Sequence, residues 1–337
     1  MRKVIVLFTL LISSALLFAN PSVETRLLQY SGSAIDEPHW FKDSFLELAD
    51  DIDEAQEDGK NLLIYFHQAG CPYCFNFVQQ SLLDPHLSNY IQQYFDVIAL
   101  NLWGDREVTL PDGEVLSEKD LALKWKIQYT PTLLFFQKGA DPILRIDGYR
   151  NKQVFAKVLD YVRTGKTDRS LAQILIEQDV SASLYPSDVL KESENLKKTI
   201  NDKPTLLLFE YPGCKDCDQL HRQVLTRKDT HSLLKQFNAI RLDLGSEKVI
   251  TDFTGDQKTA RQWAEDLGLS YFPSVVLFDA DIKEQLRIDS YVQAFHFNTA
   301  LEFVSDKIYT RMPQFQRYIN ERADRLRAQG EKVVITQ

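Results

Sequence analysis

The four cysteines of this chain form two pairs of identical spacing, Cys71-Pro72-Tyr73-Cys74 and Cys214-Lys215-Asp216-Cys217, with none left over. Such a pair can close into a disulfide and reopen to a dithiol. Only a thiolate attacks a disulfide, so a working nucleophile needs its pKa lowered from the ordinary value of about 8.5. A helix start supplies that shift, because free backbone N–H groups and the positive end of the helix dipole face the sulfur. Pro72 after Cys71 marks the first turn of a helix. A fall of roughly two units would raise the thiolate fraction at pH 7 from about 3% to about 75%. Cys71 is then the nucleophile, and Cys74, one turn in and less exposed, resolves the mixed disulfide. Cys214 and Cys217 admit the same roles, with Lys215 favouring a thiolate and Asp216 opposing it.

Each pair has a partner proline. Thr130-Pro131 and Phe272-Pro273 open apolar runs about sixty residues beyond their cysteines. X-Pro bonds make a cis peptide inexpensive, so a cis proline beside the sulfurs is expected at Pro131 and Pro273. The backbone of Thr130 or Phe272 can then pair with an extended substrate in β fashion. Pro72 and Tyr73 complete the expected substrate-facing set. His67, four residues before Cys71, reads more readily as a surface-capping residue than as an aid to the thiolate. Trp40, Phe41, Phe45 and Leu46 read as packing residues.

The elements that must position these groups come from an internal repeat. Lys60-Asn61-Leu62-Leu63-Ile64-Tyr65-Phe66 answers Lys203-Pro204-Thr205-Leu206-Leu207-Leu208-Phe209, and one deletion later Leu144-Arg145-Ile146-Asp147-x-Tyr149 answers Leu286-Arg287-Ile288-Asp289-x-Tyr291. Each half reads as strand, cysteine pair at a helix start, strand, helix, proline-preceded strand, strand and closing helix. The fold class is α/β, with two tandem domains that each hold a central mixed sheet flanked by helices. In the first half the strands are expected at 62–66, 97–102, 132–136 and 143–146, with helices at 72–82, 118–125 and 152–163. Turns are expected at Pro111-Asp112-Gly113 and Thr254-Gly255-Asp256. The domain layout is 36–165, a helical connector at 166–200 in which Pro186 begins a new helix, 201–308, and a C-terminal helix over 309–330. That last helix carries Met312, Phe315, Ile319 and Leu326 at helical spacing.

Length and composition agree with this layout. The 337 residues suit two cores, and 44% hydrophobic with 26% charged residues is an ordinary globular composition. A net charge of −9 disfavours a phosphate backbone as partner, so nucleic acid is set aside. Arg2 and Lys3, an apolar run from Val4 to Leu17 and then Phe18-Ala19-Asn20-Pro21 read as a signal peptide over 1–19. Cleavage falls after Ala19, with Ser13-x-Ala15 as the alternative. Export to the periplasm is the expected destination. A zinc site would need the second pair at short spacing, which is absent, so no metal is expected.

The chain resembles the thioredoxin superfamily, and more narrowly the periplasmic group of sulfur-oxidation-associated thioredoxins. The first half carries the resemblance through Trp40-Phe41-Lys42-x-Ser44-Phe45, Phe66-His67-Gln68-x-Gly70-Cys71-Pro72-Tyr73-Cys74, Asn101-Leu102-Trp103-Gly104-Asp105-Arg106-Glu107 and Tyr129-Thr130-Pro131-Thr132. The second half carries it through Gly213-Cys214-x-x-Cys217 and Phe272-Pro273. The resemblance implies the thioredoxin fold, reversible dithiol–disulfide exchange, cis prolines at Pro131 and Pro273, and no dissociable cofactor. The buried Asp of typical thioredoxins is replaced by Tyr65 and Leu208, and the Trp before the nucleophile by Gly70 and Gly213. The function expected is an exported thiol–disulfide oxidoreductase acting on protein disulfides or dithiols, or with a membrane electron donor, and relaying electrons between its two sites. The alternatives are a chaperone-like peptide-binding module with structural disulfides, and a disulfide isomerase, for which no dimerisation segment is evident.

Overall fold

The two apolar runs that precede the cysteine pairs are buried on both faces, which is why they lack a polar alternation. In β1 (Asn61–His67), Leu63 and Tyr65 join one core while Leu62, Ile64 and Phe66 join another on the opposite side of the sheet. In β7 (Thr205–Glu210), Leu206 and Leu208 split from Leu207 and Phe209 in the same manner. The computed structural model describes residues 37–165, 169–176, 183–331 and 333. The expected signal peptide at 1–19 and part of the expected connector lie outside the described residues.

The first domain orders its sheet β2-β1-β5-β6, with β2 (Phe95–Asn101) parallel to β1 and with β5 (Thr132–Phe136) and β6 (Leu144–Asp147) antiparallel. A small hairpin of β3 (Glu107–Thr109) and β4 (Val115–Ser117) turns at Pro111-Asp112-Gly113. Around the sheet lie α1 (Leu48–Glu57), α2 (Pro72–Phe77), α3 (Pro85–Tyr94), α4 (Glu118–Lys124), α5 (Lys152–Thr164) and, after it, the short α6 (Leu171–Leu175). The expected single helix over 72–82 is α-helical only through Phe77 and continues as a π-turn from Val78 to Leu82. The periodic pattern did not reveal α1 or α3. The charged stretch of α1 buries little beyond Leu48, Asp51, Ile52 and Ala55, and α3 buries Leu87 and Ile91. Asp84-Pro85, an N-cap followed by proline, is the local signal for α3.

The second domain repeats this plan. Its sheet runs β12-β11-β7-β8, with β8 (Asn238–Asp243), β11 (Ser274–Phe278) and β12 (Glu284–Ile288), and a hairpin of β9 (Val249–Thr251) and β10 (Gln257–Thr259). Its helices are α7 (Lys215–Leu220), α8 (Lys228–Leu234), α9 (Ala260–Asp266) and α10 (Ala294–Ser305), followed by α11 (Phe315–Ala328). Phe315, Tyr318 and Ile319 of α11 are buried in the second domain's core, so this helix is rooted there. Glu302 of α10 accepts hydrogen bonds from Tyr318 and Arg322, each at 2.6 Å.

Two expectations need correction. The connector is not helical between Tyr185 and Asn195, and Pro186 does not begin a helix. Lys191 instead hydrogen-bonds along the outer edge of β8, through its N–H to Ala239 and its carbonyl to Arg241, each at 2.9 Å. An edge strand leaves unpaired N–H and C=O groups, and this extended segment satisfies them. The stretch before α1 does the same for β2, where Lys42 N–H donates to the Val97 carbonyl at 2.8 Å. The second correction concerns Phe45, which is 98% exposed while Trp40, Phe41 and Leu46 pack as expected.

The domains meet through positions that correspond in the repeat, which gives the pair an approximate two-fold relation. A Cβ on Gly148 would sit 3.5 Å from Ser290 Oγ, its repeat counterpart. Thr132 Oγ1 donates to Asp147 at 2.9 Å, and Ser274 Oγ donates to Asp289 at 3.0 Å. The halves differ in their arginines. Arg145 pairs with Asp147 at 2.7 Å, whereas Arg287 pairs with Glu284 at 2.6 Å and leaves Asp289 without a direct ion pair among the described residues. Desolvation, reinforced by the nearby Asp147 and opposed by Arg287 and Arg150, pushes the Asp289 carboxyl up to about 6. A carboxyl raised on folding contributes stability that is present below its unfolded pKa and lost as pH rises through the folded one. Asp289→Asn should therefore melt with the wild type near pH 4 and a few degrees above it at pH 7, an advantage of about 1–2 kcal/mol. Thermal melts of both proteins across that range provide the measurement.

Candidate functional site

Each cysteine pair sits at the join between its central strand and the helix that follows. Gly70 and Gly213 precede the first cysteines with φ of 72° and 82°, in the left-handed region where a side chain is disfavoured. This accounts for glycine at the position before each nucleophile candidate. Cys71 is the N-cap of α2 and its Sγ accepts the Cys74 N–H at 3.0 Å, with Pro72 in the first turn. Cys214 caps α7 in the same way, its Sγ accepting the Cys217 N–H at 3.1 Å. Both pairs are closed as disulfides, with Cα atoms 5.3 Å and 5.2 Å apart.

The residues expected at the sites are brought together. The Thr130–Pro131 and Phe272–Pro273 bonds are both cis. The Thr130 carbonyl oxygen lies 3.4 Å from Cys71 Sγ, and Thr130 Oγ1 donates to the same sulfur at 3.3 Å. In the second domain the Phe272 carbonyl lies farther off, 3.9 Å from Cys214 Sγ, and phenylalanine has no hydroxyl to give. A donor on a sulfur favours its ionised form, so the first site has a thiolate-stabilising group that the second lacks.

His67 is placed away from thiol chemistry. Its Nε2 pairs with Glu37 Oε1 at 3.2 Å and its ring stacks on Tyr65. At the matching position the second domain has Glu210, buried with His221 Nε2 at 2.8 Å and Arg241 at 3.1 Å. The Asn101-to-Glu107 motif is organised by Glu118, a buried carboxylate that accepts the N–H of Asn101 at 2.8 Å and Nη2 of Arg106 at 2.7 Å. Gly104 is required beside it, because a Cβ there would overlap Glu118 Oε2. The loop then presents Trp103, whose indole N–H donates to Gln68 Oε1 at 2.8 Å.

Local motifs did not disclose how the opposite domain enters each site. Gln68 donates to Gln316 of α11 at 3.1 Å, Arg317 lies 5.1 Å over Trp103, and Gln128 accepts the Phe315 N–H at 2.7 Å. Helix α11 is thereby held across the first site. Between them lies a cavity of about 370 Å³ whose walls include Cys71, Tyr73 and Thr130 on one side and His296, Ile319 and Asn320 on the other. Cys71 lines it with 4% exposure, while Cys74 is fully buried beneath. The His296 ring meets Tyr73 edge-on at 6.3 Å, and desolvation lowers its pKa to about 4, so it stands neutral at pH 7. Near the second site, Arg150 of the first domain lies 4.4 Å over the Tyr271 ring, and Tyr271 OH donates to Asp216 at 3.0 Å. Among the described residues no group of three or more His, Cys, Asp or Glu side chains converges as a metal site.

This combination of a capping cysteine, a second cysteine one turn in and a facing cis proline on a four-stranded mixed sheet defines a thioredoxin-type site. A family model described as a thioredoxin-like domain matches residues 48–163 and again 194–305, more than half of the chain, and the protein belongs to that family. No curated protein matches the sequence. Among solved structures it is similar to a thioredoxin-fold protein from Helicobacter pylori, with 20% identity over 41% of this chain and 93% of that one and a TM-score of 0.37. It is also similar to a thioredoxin from Thermus thermophilus, with 27% identity over 34% of this chain and 83% of that one and a TM-score of 0.27. A third is the C-terminal domain of DsbD from Neisseria meningitidis in its reduced form, with 20% identity, 32% and 87% coverage and a TM-score of 0.26.

The wall contributed by α10 and α11 restricts approach to Cys71. Replacing His296 with alanine should widen the cavity, so that in the reduced protein Cys71 is alkylated several-fold faster while the Cys214 rate stays unchanged. Peptide-resolved mass spectrometry of iodoacetamide time courses reads both rates in one experiment.

Proposed function

We propose that the chain is an exported thiol–disulfide oxidoreductase whose principal site is Cys71–Cys74. The observation that carries this reading is the contrast within the first pair: Cys71 opens on a cavity and receives the Thr130 hydroxyl, while Cys74 is sealed below it. Cys71 attacks a partner disulfide as a thiolate, forming a mixed disulfide and releasing one partner thiolate. Cys74 then attacks Cys71 Sγ, which releases the second partner thiol and leaves the Cys71–Cys74 disulfide. Thr130, Pro131, Pro72 and Tyr73 face the partner, and Phe272 and Pro273 do so in the second domain. No dissociable cofactor is needed.

Partners of the reading are protein dithiols and disulfides in the periplasm, with a membrane electron donor restoring the dithiol. Export rests on the signal-peptide pattern of residues 1–19, and likeness to the sulfur-oxidation-associated thioredoxins rests on the first-half motifs. Relay between the two sites belongs to the reading because one chain carries two cysteine pairs, Cys71–Cys74 and Cys214–Cys217.

After mild reduction, Cys71 should be trapped by iodoacetamide near pH 6 at least tenfold faster than Cys74, and Cys74→Ser should accumulate mixed disulfides with client proteins through Cys71. Failure to alkylate either Cys71 or Cys214 under these conditions returns the protein to the class of peptide-binding modules with structural disulfides. For relay, Cys217→Ser should slow turnover at Cys71, and unchanged turnover with every donor tried would sink it.

A further inference from the structure

Arg150 is the most deeply buried arginine of the molecule among the described residues, at 2% exposure, in the loop between β6 and α5. Burying a guanidinium is costly unless its charge and its five N–H donors are answered. Nη1 donates to the neighbouring Tyr149 carbonyl at 3.1 Å, and Nε is buried with no acceptor. Within its own domain the charge is answered by the field of Asp147, without an ion pair among the described residues. Across the interface the guanidinium stacks 4.4 Å over Tyr271 and feels the carboxylates of Asp289 and Asp216. Tyr271 carries the contact onward by donating its hydroxyl to Asp216 Oδ2 at 3.0 Å.

Asp216 stands between Cys214 and Cys217, where a bare carboxylate opposes a thiolate on Cys214. The first site has no such need. Its matching residue is Tyr73, which meets the neutral ring of His296, and the repeat counterpart of Arg150 is Val292. The approximate two-fold thus pairs the inter-cysteine Asp216 with an arginine and the inter-cysteine Tyr73 with the ring of His296.

We propose that Arg150 of the first domain is a positioning residue of the second domain's site, acting through Tyr271 to neutralise Asp216 and so set the reduction potential of the Cys214–Cys217 couple. This rests on the reading that Cys214–Cys217 is a reversible couple. On reduction the disulfide takes up two electrons and one proton, giving the Cys214 thiolate and the Cys217 thiol. A neutralised Asp216 stabilises that thiolate and makes the pair easier to reduce. The domain interface is therefore part of the second site's redox chemistry, and separating the domains makes that site more reducing.

The test measures the equilibrium of each pair of the full chain in glutathione buffers, read by peptide-resolved alkylation. Arg150→Met should make Cys214–Cys217 about tenfold harder to reduce, equivalent to about 30 mV, while Cys71–Cys74 changes less than twofold. Arg150→Lys should recover most of the loss. Tyr271→Phe, which keeps the ring and removes the hydroxyl, should shift the same pair in the same direction by a smaller factor and covers the case in which Arg150→Met fails to fold. Asp216→Asn should make the pair easier to reduce and should cut the effect of Arg150→Met to under threefold. An unchanged Cys214–Cys217 equilibrium, an equal shift at both pairs or an Arg150 effect that survives Asp216→Asn would overturn the proposal alone. A Cys214–Cys217 disulfide that no thiol buffer opens would overturn the underlying reading as well.

Discussion

The contact on which the rest of the arrangement depends is the docking of the two domains along matching surfaces, clasped by α11. The helix is rooted in the second domain by Phe315, Tyr318 and Ile319, and its outer edge bonds to Gln68 and Gln128 of the first. Its apolar root and polar edge serve different partners, so the helix cannot leave the first site without giving up hydrogen bonds in a partly buried setting. Because Cys71 opens on the space beneath α11, access to its sulfur is governed by this clasp more than by the helix that carries the cysteine.

The duplicated halves use the same backbone device and differ in electrostatics. In both, a glycine in the left-handed region delivers a cysteine to a helix N-cap, and a cis proline faces it. The first site adds a hydroxyl donor from Thr130; the second replaces it with Phe272 and places a carboxylate between its cysteines. These substitutions act in opposite directions on a thiolate. The pseudo-symmetric fold therefore places two disulfides in unlike electrostatic surroundings on one chain.

Departures from the repeat cluster where the domains touch. Arg145 bonds Asp147 while Arg287 turns to Glu284, and Asp289 is left raised in a shared interface with Arg150. Such a group contributes stability that is lost as pH rises through about 6.

The sequence alone determined the local features. The paired cysteines, the prolines opposite them, the doubled strand pattern and the hairpin turns are set by spacing and residue type within short segments, where backbone geometry follows composition. It also marked the first half as the closer match to the thioredoxin pattern, through Phe66-to-Cys74 and Tyr129-to-Thr132, against only Gly213-Cys214-x-x-Cys217 and Phe272-Pro273 in the second. The extended run that covers β8 was misread as helix because its charges resemble a solvated helix face, whereas the unsatisfied edge of β8 is a property of the sheet. Only the tertiary structure decided that His296 and α11 wall the first site and that Arg150 reaches the second. Those contacts join residues far apart in the chain, through a domain interface whose complementarity leaves no periodic trace along the sequence.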